Sequence, residues 1–319
     1  MRNFRPWLIL LRQALEQRGV SIPQFKGMLL ALMACACFSL NFVTAKYALR
    51  AYNPYTFCTL WFGCGAVYGF LYLAATHRVA LGRQLRLAWK PLALMGLTYT
   101  AGALAGFSGL RLVDPTVAAF INRSQSAHLV LLGWLFLGER MNRREGWGLA
   151  IALSGLAITS YAHGRAEWIG VALLLFHALA YAVTVLIAKR LTGRIDPAVM
   201  TALRSLYVSL GLGIVALSTG QFILGVPRSY TWVLVSGAFF GPFLGHIFLY
   251  RSLRSLTLSQ SGVCLAFQPL FVALLALVFL HTWPSLRQFI GGLLLLGGVW
   301  LLVTARELGS SPEGEAKLS

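Results

Sequence analysis

The sequence predicts an all-α integral membrane protein, ten transmembrane helices arranged as two inverted five-helix repeats. Composition, a succession of apolar runs and an internal repeat carry that expectation. Of 319 residues, 58% are hydrophobic and only 11% charged, and mean hydropathy is +0.71. Soluble domains typically carry about 25% charged residues.

Residues 1–26 open with RNFRPWLILLRQALEQRG, whose apolar run is too short for a signal-peptide core. A cationic helix lying along the cytoplasmic membrane surface is the better reading. Runs long enough to cross a hydrocarbon core follow at 27–48, 55–76, 91–110, 115–137, 146–162, 167–188, 197–218, 230–250, 257–280 and 286–304. The polar tail 307–319, ELGSSPEGEAKLS in its setting, is expected to be disordered. The five cysteines lie in or near spans without metal-ligand or paired-loop spacing, so they are read as packing residues.

A net charge of +18 raises the question of nucleic acid, but the basic residues do not gather on one face. With the N-terminus inside, 19 of the 27 Lys and Arg fall in alternate loops and the termini, and five on the opposite side. Lys46, Arg123 and Arg204 remain inside spans. The positive-inside rule therefore places both termini in the cytoplasm.

The repeat has a constant offset of 143 residues over about 110 residues. It lays Ala45-Lys46 on Ala188-Lys189, Asn53-Pro54 on Asp196-Pro197, and Leu110-Arg111 on Leu253-Arg254. Gly102, Gln125, Gly148 and Gly155 fall on Gly245, Gln268, Gly291 and Gly298. An ungapped register that keeps Lys, Arg, Gln and Pro marks a duplication, here 27–163 and 164–306. Five spans in each half would make the second enter the membrane from the opposite side, an arrangement that in transporters puts the substrate site near the midplane.

The stretch FSGLRLVDPTVAAFINRSQSAHLVLLGWLFLGERMNRREGWGLAIALSGLAI, with Leu137-Gly138-Glu139 and Trp147-Gly148 to Gly155, resembles the fourth and fifth spans of the EamA family of the drug/metabolite transporter superfamily. The resemblance covers about 27–306. It implies ten helices, an export or exchange role, and a central cavity lined by spans 1, 3, 4, 6, 8 and 9, with no cofactor and no particular substrate. Two departures stand out. The family's mid-span proline is Ser126 in the first half and is kept only as Pro269 in the second, and the second half reads His281-Thr282 where Gly-Glu often repeats.

An ionisable group at mid-membrane costs at least about 2.5–3.5 kcal/mol on insertion scales, so Arg123 must face protein or water. Projected as one helix, span 4 puts Asn122, Arg123, Gln125 and Ser126 on one broad arc, with Ser124 and His128 outside it. Arg123 would hold a carboxylate through its planar fork, or else brace helix packing. No Asp or Glu lies in the middle of any span, which favours a substrate anion as its partner over an embedded-carboxylate proton relay. His128, His177 and His246 remain candidates for proton coupling. Asn41, Tyr99, Tyr181, Phe239 and Gln268 are further pocket candidates. Lys46 and Lys189, a repeat pair, suit gating at the two mouths or snorkelling to the interface. Arg204, two turns into span 7, is expected to reach water or lipid phosphate.

The resemblance implies an exporter in a bacterial inner membrane, and Arg123 adds the expectation of a small polar metabolite with at least one carboxylate as its cargo. Amino acids and their derivatives head the list, including opine-like metal chelators. A carrier or flippase of a phosphorylated or lipid-linked substrate is the alternative. An enzyme is disfavoured, since no HExxH, GxSxG, Walker motif or carboxylate cluster appears. The partners expected are membrane lipids and an anionic or zwitterionic small molecule, not nucleic acid; a homodimer is possible.

Overall fold

A computed structural model describes residues 22–76, 81–128, 143–159, 165–223, 225–282 and 284–309. The surface segment expected before residue 22, the Leu137-Gly138-Glu139 motif and the tail from 310 lie outside the described residues.

The first half holds α1 (Ile22–Ala48), α2 (Pro54–Thr76), α3 (Leu81–Leu112), the short α4 (Pro115–Asn122) and α5 (Arg143–Thr159). The second holds α6 (Arg165–Leu191), α7 (Pro197–Ser218), α8 (Arg228–Ser252), α9 (Leu258–Leu265), α10 (Gln268–Leu280) and α11 (Leu286–Gly309). Among the described residues seven helices are long and apolar enough to cross a membrane, and the shorter 146–159 and 286–301 stretches are apolar as well. The last part of the expected fourth span, 129–137, lies outside the described residues, so the count of ten rests on the sequence.

The repeat register is written into the caps. Asn53 Oδ1 accepts from Thr56 N, and its mate Asp196 Oδ1 accepts from Ala198 N, both at 2.8 Å, ahead of Pro54 and Pro197. A proline suits this place because its missing N–H would be unpaired in the first turn anyway. Asp114 caps α4 through Thr116 N, and its mate Thr257 caps α9 in a reciprocal box with Gln260.

Helix pairs cross between the halves: α2 packs on α7, α5 on α11, α3 on α6, and α1 on α8. The last two are repeat equivalents of each other. Small residues allow the close approaches, as the stripes Gly65-x-x-x-Gly69, Gly102-x-x-x-Gly106 and Gly237-x-x-x-Gly241-x-x-x-Gly245 suggest. A Cβ at Gly241 would strike the Asn41 side chain, and one at Gly155 would strike the backbone of α11 at Leu295. Outward positions are as apolar as the core. Leu97, Ile214, Trp232 and Val278 are all more than 60% exposed, which suits a surface solvated by lipid tails.

Two expectations are corrected. The third helix begins at Leu81, ten residues before the expected span, because a hydropathy window misses the polar turns that continue a helix beyond the hydrocarbon. The fourth span is not continuous. Its α-helical ladder stops at Asn122, residues 123–124 form a turn with i to i−3 bonds, and helix resumes at Gln125. The second repeat is interrupted at the equivalent place, residues 266–267 between α9 and α10.

Candidate functional site

Between the halves lies a cavity of about 60 Å³, counted as space open to the centre of a water molecule. Its wall draws on α1 (Asn41), α3 (Tyr99), the first interruption (Asn122, Arg123), α6 (His177, Tyr181), α8 (His246) and α10 (Gln268). These are the spans that the family resemblance implied. Span 2 is an addition, through Trp61 and Phe62, whose role no local sequence signal marked.

Arg123 is 4% exposed. Its Nη1 donates to the Leu265 carbonyl at 3.2 Å, and its Nε has no hydrogen-bond partner. The chemistry of position 269 explains the first contact. In a continuous helix the Leu265 carbonyl would accept from the N–H of residue 269, but that residue is proline and has none. The orphaned acceptor at the second interruption is taken by the guanidinium at the first.

Other polar atoms at the interruptions are left without partners: Asn122 Oδ1, Ser124 Oγ, Gln125 Oε1 and Gln268 Oε1, all in side chains at most 6% exposed. Buried polar groups in native proteins are overwhelmingly paired, so such a concentration marks a place that meets water or a ligand. His246 shares the pattern. Its Nδ1 lies 3.0 Å from the Gly241 carbonyl, which can only accept, so the ring carries a proton there and presents Nε2, unpartnered. The π-helical turn Phe239–Gly245 around Pro242 sets this geometry, and such turns recur at functional sites. His177 Nδ1 likewise donates to the Gly102 carbonyl at 2.9 Å.

Rings make up much of the remaining wall. Tyr99 lies 5.7 Å from both His177 and Tyr181, and Tyr181 lies 6.3 Å from His246. The aromatic candidates Tyr99 and Tyr181 are thus brought together, whereas Phe239 is 37% exposed and lies away from the cavity.

The interruption divides the arc expected on span 4. Asn122 and Arg123 line the main cavity, while Gln125 and Ser126 line a smaller pocket on the other side of Tyr181, with Ser261 and Leu265. His128 is half-buried beside neither space, its Nδ1 unpartnered. Lys46 donates to the carbonyls of Leu110, Arg111 and Val113 at 2.7–3.0 Å, and Lys189 to those of Leu253 and Leu256 at 2.7 and 2.6 Å. Both close the C-terminal end of the third helix of their repeat, where carbonyls lack intrahelical donors.

Arg204 departs furthest from expectation. It reaches neither water nor lipid phosphate, being fully buried behind Tyr99 and Phe62, because α7 packs against α2 and α3 along this length.

Comparison with known proteins agrees with this construction. The pattern of the EamA-like transporter family matches twice, over residues 25–161 and 168–304. An uncharacterized transporter of Synechocystis sp. is 24% identical over 274 residues, 80% of this chain and 78% of that one. Another of Archaeoglobus fulgidus is 25% identical over 273 residues, 84% and 95% of the two chains. A protein of known crystal structure superposes with a TM-score of 0.66 at 20% identity, over 89% of this chain and 99% of that one, a likeness of fold. With its family pattern found in both halves of a duplicated helical membrane fold, the chain belongs to the EamA-like transporter family of the drug/metabolite transporter superfamily.

Proposed function

We propose that this transporter exports a small polar metabolite bearing a carboxylate across the bacterial inner membrane, by alternating access. The observation that carries the reading is Arg123. A permanently charged fork in the wall of the central cavity is held by one carbonyl, and among the described residues its Nε is unpaired and no acidic side chain lines that cavity. A carboxylate would meet the guanidinium in its own plane and replace a single weak bond by two charge-assisted ones. Neighbouring amides supply the rest, since Asn122 and Gln268 can donate to an anion through their NH₂ groups.

Movement follows from the paired interruptions. Two half-helices on each side of the cavity meet at turns related by the 143-residue repeat, and opposite orientation of the halves would let each open the site to one side. The hydroxyl- and amide-lined pocket beyond Tyr181, and the basic vestibule at Lys189 and Arg254 beyond Leu253, suit a route toward the cytoplasm.

The test is accumulation. Cells lacking the gene are compared with complemented cells by mass spectrometry of cytoplasm and medium, using wild type and Arg123→Gln at matched membrane levels. A carboxylated metabolite retained in the deletion strain, released by wild type and retained again with Arg123→Gln, is the expected result. Normal release by the substituted protein would reduce Arg123 to a packing residue.

A further inference from the structure

Arg204 is the repeat mate of Trp61. The side chain is 0% exposed. Its Cζ lies 4.9 Å from the Tyr99 ring centre and 5.7 Å from that of Phe62, and Nη1 donates to the Tyr250 hydroxyl at 3.3 Å. Nε and Nη2 have no partner, and no acidic side chain among the described residues meets it. Removing a charge from water without a counter-charge is among the costliest arrangements in a protein, and three rings do not satisfy five donors.

The rings that cover Arg204 are also cavity wall. Tyr99 and Phe62 both face the central space, so Arg204 stands one aromatic layer behind it. Two permanent cations, neither with a carboxylate partner among the described residues, thus flank one small cavity whose other lining is rings, amides, imidazoles and aliphatic side chains.

We propose that Arg204 is a second anion-binding residue of this cavity, covered by Tyr99 in the present state, and that the cargo is a small dianion. The inference rests on the reading that the cavity binds an anion at Arg123. A monoanion would neutralise one guanidinium and leave the other uncompensated, whereas a dianion neutralises both. Two carboxylates, or one doubly ionised phosphate monoester, supply the same charge. Tyr99 must swing aside for Arg204 to reach the cavity, and its tilted ring contacts with His177 and Tyr181 can be exchanged for contacts with cargo.

Purified full-length protein is titrated with succinate, methyl phosphate or butyrate at matched ionic strength, with thermal stabilisation as the readout. Wild type should respond to at least one dianion at tenfold lower concentration than to butyrate. Arg204→Gln should respond to dianion and butyrate alike, and Arg123→Gln to neither. Which dianion acts separates the dicarboxylate from the phosphate source. Equal responses of wild type to butyrate and both dianions, or a dianion preference that survives Arg204→Gln, overturn the proposal while leaving the Arg123 site intact. Binding unchanged in Arg123→Gln, or no binding of any probe to wild type, overturns both. Arg204→Met gives a check independent of cargo. A charge kept for a ligand should be replaceable with an unchanged or higher melting temperature in the absence of anions, whereas a fall of several degrees makes Arg204 a structural brace and sinks the assignment.

Discussion

Arg123 and Leu265 join the interruptions of the two repeats. The guanidinium at the first donates to a carbonyl at the second, 3.2 Å away, and Leu265 is the repeat mate of Asn122, the residue just before Arg123. A bond across the duplication thus links the two places where the helices yield, and Pro269 keeps that carbonyl free to take it.

Pro269→Ala tests this link. Alanine supplies an N–H that competes for the Leu265 carbonyl, so Arg123 should lose its protein acceptor even where the turn at 266–267 persists, as the turn at 123–124 does ahead of Ser126. Proline costs about 3 kcal/mol in a helix interior, and less here because it occupies the first turn of α10. The expected outcome is a higher melting temperature together with export reduced several-fold. Full transport activity in a stabilised variant would show that the interruption is incidental.

The two lysines should behave alike. Replacing Lys46 or Lys189 by Met strips donors from three and two helix-end carbonyls, at a cost of roughly 1–3 kcal/mol for each acceptor left buried. Both variants should melt lower than wild type, Lys46→Met by more. If either matches wild type, water reaches those carbonyls and the lysine is free for another role.

Close packing of α5 on α11 is tested by a matched glycine pair. At Gly155 a methyl would meet backbone atoms of Leu295, Gly291 and Leu294, whereas at Gly297 nothing lies within 4 Å. Gly155→Ala should destabilise by about 1–3 kcal/mol, as overpacking does. Gly297→Ala should be neutral or slightly stabilising, since alanine is the better helix former. Equal melting curves for the two would mean that α5 and α11 are not in register as described.

Orientation is open to direct labelling. With the native cysteines replaced, Arg194→Cys should react with a membrane-impermeant thiol reagent only in inside-out vesicles, and Arg50→Cys only in right-side-out ones. Four of the five native cysteines are buried, so their removal is a packing change to be checked by melting first. The reverse pattern of labelling would place the termini outside and turn the direction of transport around.

Much of this architecture was legible in one dimension because lipid imposes simple demands. Helices that span it need long apolar runs, and a duplication leaves a fixed offset. The register 143 apart correctly paired Lys46 with Lys189, whose carbonyl bonds fall on equivalent residues. Arg123, Asn122, Asn41, Tyr99, Tyr181 and Gln268 all reached the cavity wall, since polar and aromatic groups within apolar runs have few other places to go.

Only the tertiary structure separated Gln125 and Ser126 from Arg123, because a helical projection assumes a continuous ladder and the interruption at 123–124 breaks that assumption. The same holds for Trp61 and Phe62, hidden among a chain's many aromatics until α2 packed against α7. Arg204 is the sharpest case. Counted from the helix end it lies close enough to an interface to snorkel, and nothing in its neighbours along the chain says otherwise. Its burial behind Tyr99 and Phe62 is decided by three helices meeting, a relation between residues more than a hundred positions apart that no local periodicity encodes.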